Sequence, residues 1–376
     1  MAAMDHPNGS ATTASVKPTR HIDFARTTAY EMAVGNVLNK TTMALIELGV
    51  FDALARAGKK QLTVQEIVES AMPNKVVNVK NLERMLRLMV AYRIIIETVD
   101  QNGTAPAQRL YELSPVGQFF AKNEDDEDVG SFAWTVQFCE SLALHAFTDA
   151  RRPLPSFVLE EKSSSSSTSH PMFSELFVQN PALGKLFDQV NHANSKDNNP
   201  RILESYHGFE GVSVLVDVGG GYGASLKAII ARYPHIKGIN FDLPPVIAEC
   251  PALPGVEHVS GDMLKSIPSG GDAIFMKWIL HNFDDECNLK VLKNCWAALP
   301  TGGKVIVVEM VLPDVVDPDN CDRTMFLFDI ITMQNSGSRE RTEREFRELG
   351  LAAGFAHVNV VCQMHSVGTI FEMLKA

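Results

Sequence analysis

The stretch LVDVGGGYGAS, residues 215–225, decides the fold. An apolar run, one acid and a glycine-rich turn lead straight into helix-forming sequence. Glycines at 219, 221 and 223 allow backbone conformations closed to other residues and let a ligand approach closely. Asp242 ends the next apolar run, 19 positions after Gly223, where a carboxylate can accept hydrogen bonds from both hydroxyls of a ribose. Taken alone the motif is ambiguous, because Gly219, Gly221 and Ala224 also satisfy the G-x-G-x-x-A pattern of a dinucleotide site. Two more acids favour S-adenosylmethionine. Asp217 stands two residues before the first glycine, able to orient the loop and meet a cationic amino-acid end. Asp262, in SGDML after the third run, falls where an adenine edge would lie.

Around this core, strands and helices alternate. Strands are expected at 214–218, 236–241, 256–259, 273–280 and 304–311, with helical sequence between them. That alternation is the pattern of a parallel, doubly wound sheet. The helix EREFRELGLAAGF and two more strands, 357–364 and 367–374, complete it. A terminal strand pair fits a class I methyltransferase better than a dehydrogenase.

Upstream, 27–57 reads as helical, with Met43, Ile46, Val50 and Leu54 forming an apolar stripe larger than a small module can bury; a homodimer is expected from it. LTVQEIVESAM, opened by Thr63, and NVKNLERMLRLMVAY, with Val79, Leu82, Leu86 and Met89 on one face, are two further helices. RIIIETVDQNGTAPAQRLYELS reads as two strands around an Asn102-Gly103 turn. Helices followed by a hairpin suggest a winged-helix module over 21–125, after a disordered tail over 1–20. The catalytic part is expected over 126–376, with 126–210 a helical region shaping the acceptor pocket. Within it EEKSSSSSTSHP, residues 160–171, is low in complexity and expected to be a mobile loop.

The balance of 34 basic against 45 acidic residues gives a net charge of −11. It argues against nucleic acid and anionic membrane as main partners. The six cysteines show no CxxC pair and no regular spacing, so free thiols are expected rather than a zinc site. No charged-then-apolar leader and no run of transmembrane length is present, and a cytoplasmic location is expected. A regulatory reading has one feature in its favour: Lys80, Arg84 and Arg87 share a face of the presumed recognition helix and could meet phosphates.

The chemistry-bearing stretch is FMKWILHNFDDE, residues 275–286. His281 follows an apolar strand at the edge where open α/β sheets bind ligands. A phenol has a pKa near ~10 and an unperturbed imidazole near ~6.5, so a histidine can take a phenolic proton at neutral pH. Glu309 ends the next strand and should face the same crevice. Glu340, in RERTE, is expected at the start of the following helix. A carboxylate bonded to one imidazole nitrogen fixes its tautomer and stabilises the imidazolium.

In order along the chain, LVDVGGGYGAS, NFDLPPVI, GVEHVSGDML, FMKWILHNFDDE, LKNCWAALPTGGKVIVVE and RERTEREF resemble the plant caffeic acid O-methyltransferase-type family. The match is dense over the last ~175 residues and looser in the N-terminal module. The resemblance implies a Rossmann-like class I methyltransferase sheet with an N-terminal, mostly helical winged-helix-like dimerisation domain. It implies S-adenosylmethionine as cofactor, S-adenosylhomocysteine as product, no metal, and a phenolic acceptor such as a hydroxycinnamate; the polar Asn191, where the family carries methionine, suits a larger, more hydroxylated ring system such as a flavonoid. It also implies that Gly219, Gly221, Asp242, Asp262, Met263 and Lys277 hold the cofactor, and that His281 is the base between Glu309 and Glu340. On the acceptor side it implies Asn335, Trp278, and Asn191 and Ile331 at two positions where the family carries methionine. One departure is Asn282, where the family has aspartate.

Overall fold

The computed structural model describes residues 24–100, 108–122, 131–138, 181–317, 319 and 322–376. The Asn102-Gly103 turn, the 1–20 tail and the serine-rich 160–171 stretch lie outside the described residues.

The N-terminal helical pattern divides into α1 (Phe24–Ala33), α2 (Asn36–Glu47) and α3 (Val50–Ala57). Gly49, at φ 71°, turns the chain between the last two. Next comes α4 (Val64–Ala71), opened by a reciprocal capping box between Thr63 and Glu66. Then α5 (Val79–Ala91) leads to the hairpin β1 (Ile95–Asp100) and β2 (Gln108–Leu113). Leu82, Leu86 and Met89 of α5 are buried, as the periodicity required.

The expected dimer stripe is corrected here. Ile46, Val50 and Leu54 are 0–2% exposed inside the module's own core, packed with Phe51, Ile67 and Leu86. The exposed apolar side chains lie elsewhere: Tyr30 (70%), Met32 (80%) and Val37 (52%). Met32 and Val37, with Val34, Leu38, Leu88 and Tyr92, line a groove between α1, α2 and α5.

After the long helix α6 (Pro181–Ser205) the sheet begins. Its strands are β3 (Val214–Val218), β4 (Lys237–Asp242), β5 (Val256–Ser260), β6 (Ala273–Lys277), β7 (Lys304–Glu309), β10 (His357–Met364) and β11 (Gly368–Leu374). The helices between them are α7 (Ala224–Arg232), α8 (Pro244–Ala248), α9 (Asp285–Ala298), α10 (Arg323–Ser336) and α11 (Glu343–Ala352). A two-stranded pair, β8 (Val311–Leu312) and β9 (Arg341–Thr342), sits apart. The spatial order is β10-β11-β7-β6-β3-β4-β5. Strands β3 to β7 are parallel, while β11 runs antiparallel to both β7 and β10.

Alternation supplies both cores. Val216, Ile274, Met276, Val305 and Val307 pack on one face. Leu215, Ala273, Phe275, Ile306 and Val308 pack on the other. The chain order reverses between β3 and β6, so the crevice at their C-terminal ends is the ligand-binding edge of such a sheet. Asp217, Lys277 and Glu309 all fall there, at or next to their strand ends.

Three expected boundaries shift. The 273–280 strand stops at Lys277, because Trp278 takes φ 57° and the chain enters a one-turn 3-10 helix, Leu280–Asn282. The 304–311 strand breaks at Met310, and β8 pairs with β9 instead. Glu340 stands before β9 rather than at the helix start; Thr342 and Glu345 form the capping box that opens α11.

Candidate active site

The glycine turn is held from the next strand. Gly219 donates its N–H to the Phe241 carbonyl (2.8 Å), and the Gly221 N–H donates to Asp242 Oδ2 (2.8 Å). Gly221 has φ 54°, and a Cβ there would meet nothing within 4 Å, so its backbone faces open space. Asp242 Oδ1 accepts from the Leu243 N–H (2.7 Å). Burial raises the Asp242 carboxyl above its ordinary range, and the two backbone donors pull it back. Each oxygen keeps a lone pair for a further donor.

Asp262 caps its own turn: Oδ1 accepts from Leu264 N–H (2.9 Å), and Oδ2 lies 3.4 Å from Lys265 Nζ. Met263 lies beside the glycine turn, its Cε 3.5 Å from where a Gly219 Cβ would stand.

Lys277 is tied to α6, donating from Nζ to Ser195 Oγ (3.0 Å) and Asn199 Oδ1 (3.3 Å). Burial pulls its ammonium down to about 8, against the opposing pull of Asp217. Asp217 is only 2% exposed, and burial pushes its carboxyl up to about 7. Its Oδ2 is buried without a hydrogen-bond partner among the described residues. An orphaned carboxylate oxygen below an open glycine turn suits the ammonium of an amino-acid end, and Asp242 suits a ribose. These residues fit S-adenosylmethionine.

The second cluster is built on the 3-10 turn. Glu309, wholly buried, accepts the N–H groups of Ile279 (2.8 Å) and Leu280 (2.6 Å) with Oε1, fixing the turn that carries His281. His281 Nδ1 lies 2.9 Å from Glu340 Oε1 and 3.8 Å from Glu309 Oε2. A carboxylate accepts, so Nδ1 carries a proton, and in the neutral ring Nε2 is the nitrogen with the lone pair. Both carboxylate side chains are at 0% exposure, while the imidazole keeps 15%, so the ring is the open member of the group. Thr332 on α10 donates its hydroxyl to Glu340 Oε1 (3.2 Å), and the Glu340 N–H donates to Asp329 Oδ1 (2.9 Å).

The electrostatics correct the expectation of a near-neutral base. Burial pushes the imidazole's pKa down, but the Glu309 charge and the Glu340 hydrogen bond outweigh it and hold His281 at about 9. Burial also raises Glu309, against the attraction of His281. The atoms of this trio lie within 4.8 Å of one another, which is also the composition of a cation site. N–H and O–H donors converge on both Oε1 atoms, while Oε2 of each carboxylate is buried without a hydrogen-bond partner among the described residues.

Sequence reading missed Arg341. It is 1% exposed and donates to the Leu280 carbonyl (3.1 Å), the Phe283 carbonyl (2.8 Å) and Asp285 Oδ1 (2.7 Å), pinning both ends of the His281 turn. Ser195 and Asn199, one helical turn apart, were missed as well. No local signal marks any of them. Asn282 donates to the Trp278 carbonyl (3.2 Å), a role an aspartate carboxylate could not fill.

The acceptor-side candidates are less closely gathered. Trp278 gives its indole N–H to the Val367 carbonyl (3.1 Å) and rests against Phe328. Ile331 is 36% exposed on α10, next to Thr332. Asn335 lies one turn further along α10, its side chain outside the described residues. Asn191 is exposed on α6, on the i, i+4, i+8 stripe that contains Ser195 and Asn199.

The profile of a family described as O-methyltransferase domain matches residues 157–356, and one described as O-methyltransferase dimerisation domain matches residues 30–123. Among curated proteins, the chain is 39% identical to a caffeic acid 3-O-methyltransferase of Prunus dulcis, over 98% of this chain and 99% of that one. It is 38% identical to an anthranilate N-methyltransferase of Ruta graveolens, over 92% and 93%. Among solved structures, human N-acetylserotonin methyltransferase in complex with SAM superposes with a TM-score of 0.74 at 19% identity, over 96% of this chain and 100% of that one.

Proposed function

The chain belongs to the plant caffeic acid O-methyltransferase-type family of S-adenosylmethionine-dependent enzymes, and we propose that it methylates a phenolic hydroxyl with His281 as general base. When bound, the cofactor supplies an electrophilic methyl carried on its own leaving group. The protein's task is then to bind, to orient and to move one proton.

Asp242 and the open Gly221 turn hold the ribose; Asp262 and Met263 flank the adenine side; Asp217 and Lys277 meet the amino-acid end. His281 Nε2 takes the phenolic proton while Nδ1–H stays donated to Glu340. Glu309 and Glu340 stabilise the resulting imidazolium. The observation that carries this reading is the imidazole held by two buried carboxylates at 2.9 and 3.8 Å. Its consequence is a matched proton transfer. From a phenol near ~10 to an ordinary imidazole near ~6.5, transfer is uphill by roughly 5 kcal/mol; to an imidazole at about 9 it is uphill by about 1.4 kcal/mol.

On the acceptor side we assign Ile331, Asn335, Asn191 and Trp278 to the rim of the pocket, and a hydroxycinnamate or flavonoid to its interior. The relative that methylates anthranilate favours a second reading, an arylamine acceptor. We place the boundary of the dimerisation and catalytic parts at 125/126. The homodimer is supported by the match to a dimerisation domain and by the apolar groove that Met32 and Val37 line. No helix among the described residues is long and apolar enough to cross a membrane, and a cytoplasmic site of action is part of this reading. A panel of hydroxycinnamates, flavonoids and anthranilate, incubated with methyl-labelled cofactor and read by mass spectrometry, tests it. Label on a phenolic oxygen supports it; label only on nitrogen, or on nothing, overturns it.

A further inference from the structure

Beneath the glycine turn lies a polar layer that the chemistry above does not use. Asn240, on β4 and 0% exposed, donates from Nδ2 to the Gly221 carbonyl (2.8 Å). The same Nδ2 lies 3.1 Å from His258 Nδ1, its register partner on β5. His258 Nε2 lies 3.0 Å from the Pro251 carbonyl. That carbonyl can only accept, so Nε2 carries the proton and Nδ1 is the lone pair. The orientation of Asn240 is thereby fixed twice, since both partners of Nδ2 are acceptors. The Cys250 thiol also points at the Gly221 carbonyl (3.4 Å). Asn240 Oδ1 sits against the turn, 2.2 Å from where a Gly220 Cβ would stand.

Gly221 is therefore gripped on both sides from one strand. Asp242 takes its N–H and Asn240 takes its carbonyl, two residues apart on the same face of β4. We propose that Asn240 and His258 are positioning residues for the cofactor: neutral His258 holds Asn240 in place, Asn240 fixes the Gly221 peptide that orients Asp242, and protonation of His258 releases the grip. This inference rests on the assignment of the glycine turn to S-adenosylmethionine. A protonated Nδ1 would set an N–H against the amide N–H, and the Asn240 side chain could no longer satisfy both neighbours.

The ring is half-buried, within reach of solvent protons. The titratable groups on the elements around it are Glu249 and Cys250 after α8, Asp242 and Lys237 on β4, and Glu257 on its own strand. Burial and Asp242 hold the Cys250 thiol above its ordinary value, so it stays a donor to Gly221 in acid. Burial pushes the Asp217 carboxyl, one strand further in, up to about 7, so the test must separate it from His258.

Calorimetry of S-adenosylhomocysteine with the full chain at about pH 8 and about pH 5.5, across the histidine range, makes that separation. Asn240→Leu should bind about tenfold more weakly at the higher pH, the scale of one to two lost hydrogen bonds. His258→Gln retains one acceptor and one donor but cannot take a proton. It should bind as wild type does at about pH 8 and lose clearly less affinity in acid. His258→Leu should be weak at both. Wild-type affinity in Asn240→Leu, or an acid loss in His258→Gln equal to that of wild type, overturns the inference. If Asn240→Leu fails to fold, the His258 pair decides alone. A wild-type chain that binds no S-adenosylhomocysteine sinks the cofactor assignment itself, a result distinct from either.

Discussion

Replacing Glu340 by glutamine removes a charge and little else, because the amide oxygen can still accept from His281 Nδ1 and from Thr332. At an effective dielectric of ~20, a charge pair at the observed 2.9 Å is worth roughly 6 kcal/mol, and one at 3.8 Å roughly 4. Against them stands the burial of the ring, and the net result is a rise from 6.5 to about 9, or roughly 3.4 kcal/mol. The nearer carboxylate alone exceeds that net, so Glu340→Gln should move the base limb at least about 2 units toward acid. Wild-type kcat/KM should climb until about pH 9, since the neutral imidazole is only about one part in a hundred at pH 7. The variant should level off near neutrality at a plateau about 10- to 100-fold lower, because its base is weaker. The deficit should therefore shrink as pH falls. The assay is kcat/KM for a phenolic acceptor from about pH 6 to 10, with cofactor affinity measured alongside as a check on folding. A variant whose limb stays near that of wild type, or whose rate drops uniformly across the range, refutes the reasoning.

Arg341→Met should give the opposite shift, because the guanidinium lowers the His281 pKa; the limb should move to higher pH and kcat fall as the turn loses its two carbonyl tethers, and an acid shift in the profile would count against the assignment. Asp217 is a raised acid, so it favours folding below its unfolded pKa of about 3.8, and that contribution is lost as pH rises through about 7. Asp217→Asn should therefore stabilise the ligand-free protein at about pH 8 by up to ~4 kcal/mol, less what Lys277 loses by standing without a counter-charge. Urea titrations at about pH 4 and pH 8 check this, with weaker S-adenosylhomocysteine binding as its accompaniment; equal gains at both pH values would contradict it. Met32→Glu combined with Val37→Glu should convert a homodimer to monomer in light scattering while Ile46 and Val50 remain in the core; an unchanged mass would mean the interface lies elsewhere.

Much of the site was legible because a parallel sheet brings strand ends to one edge. Asp242 and Glu309 could be assigned to one candidate crevice from strand ends, Asp217 from its place before the glycine turn, and His281 as the residue after an expected strand; Lys277, expected inside that strand, came from the family resemblance alone. What could not be read depends on contacts distant in sequence. Lys277 meets Ser195 and Asn199 from 82 and 78 residues away. Arg341 reaches back 61 residues to Leu280, from a surface-like run of charges. The raised basicity of His281 was hidden too, since a histidine and two glutamates say nothing of burial until packing encloses the carboxylates. The stripe at Ile46, Val50 and Leu54 shows a different limit. Periodicity shows which helix face is apolar, but not whether the chain's own neighbours or a second copy covers it. Trp278 ended a strand early for a reason that composition hides, a left-handed backbone at a bulky residue.

Single-turnover methyl transfer by His281→Gln, with cofactor and acceptor saturating, tests the central claim most directly. The account predicts a fall of at least ~10²-fold for a neutral phenol, unchanged S-adenosylhomocysteine affinity, and progressive rescue as the acceptor phenol is made more acidic and ionises unaided. A folded, cofactor-binding variant that methylates the neutral phenol at the wild-type rate would show that proximity and orientation alone carry the reaction, and that His281 is not its base.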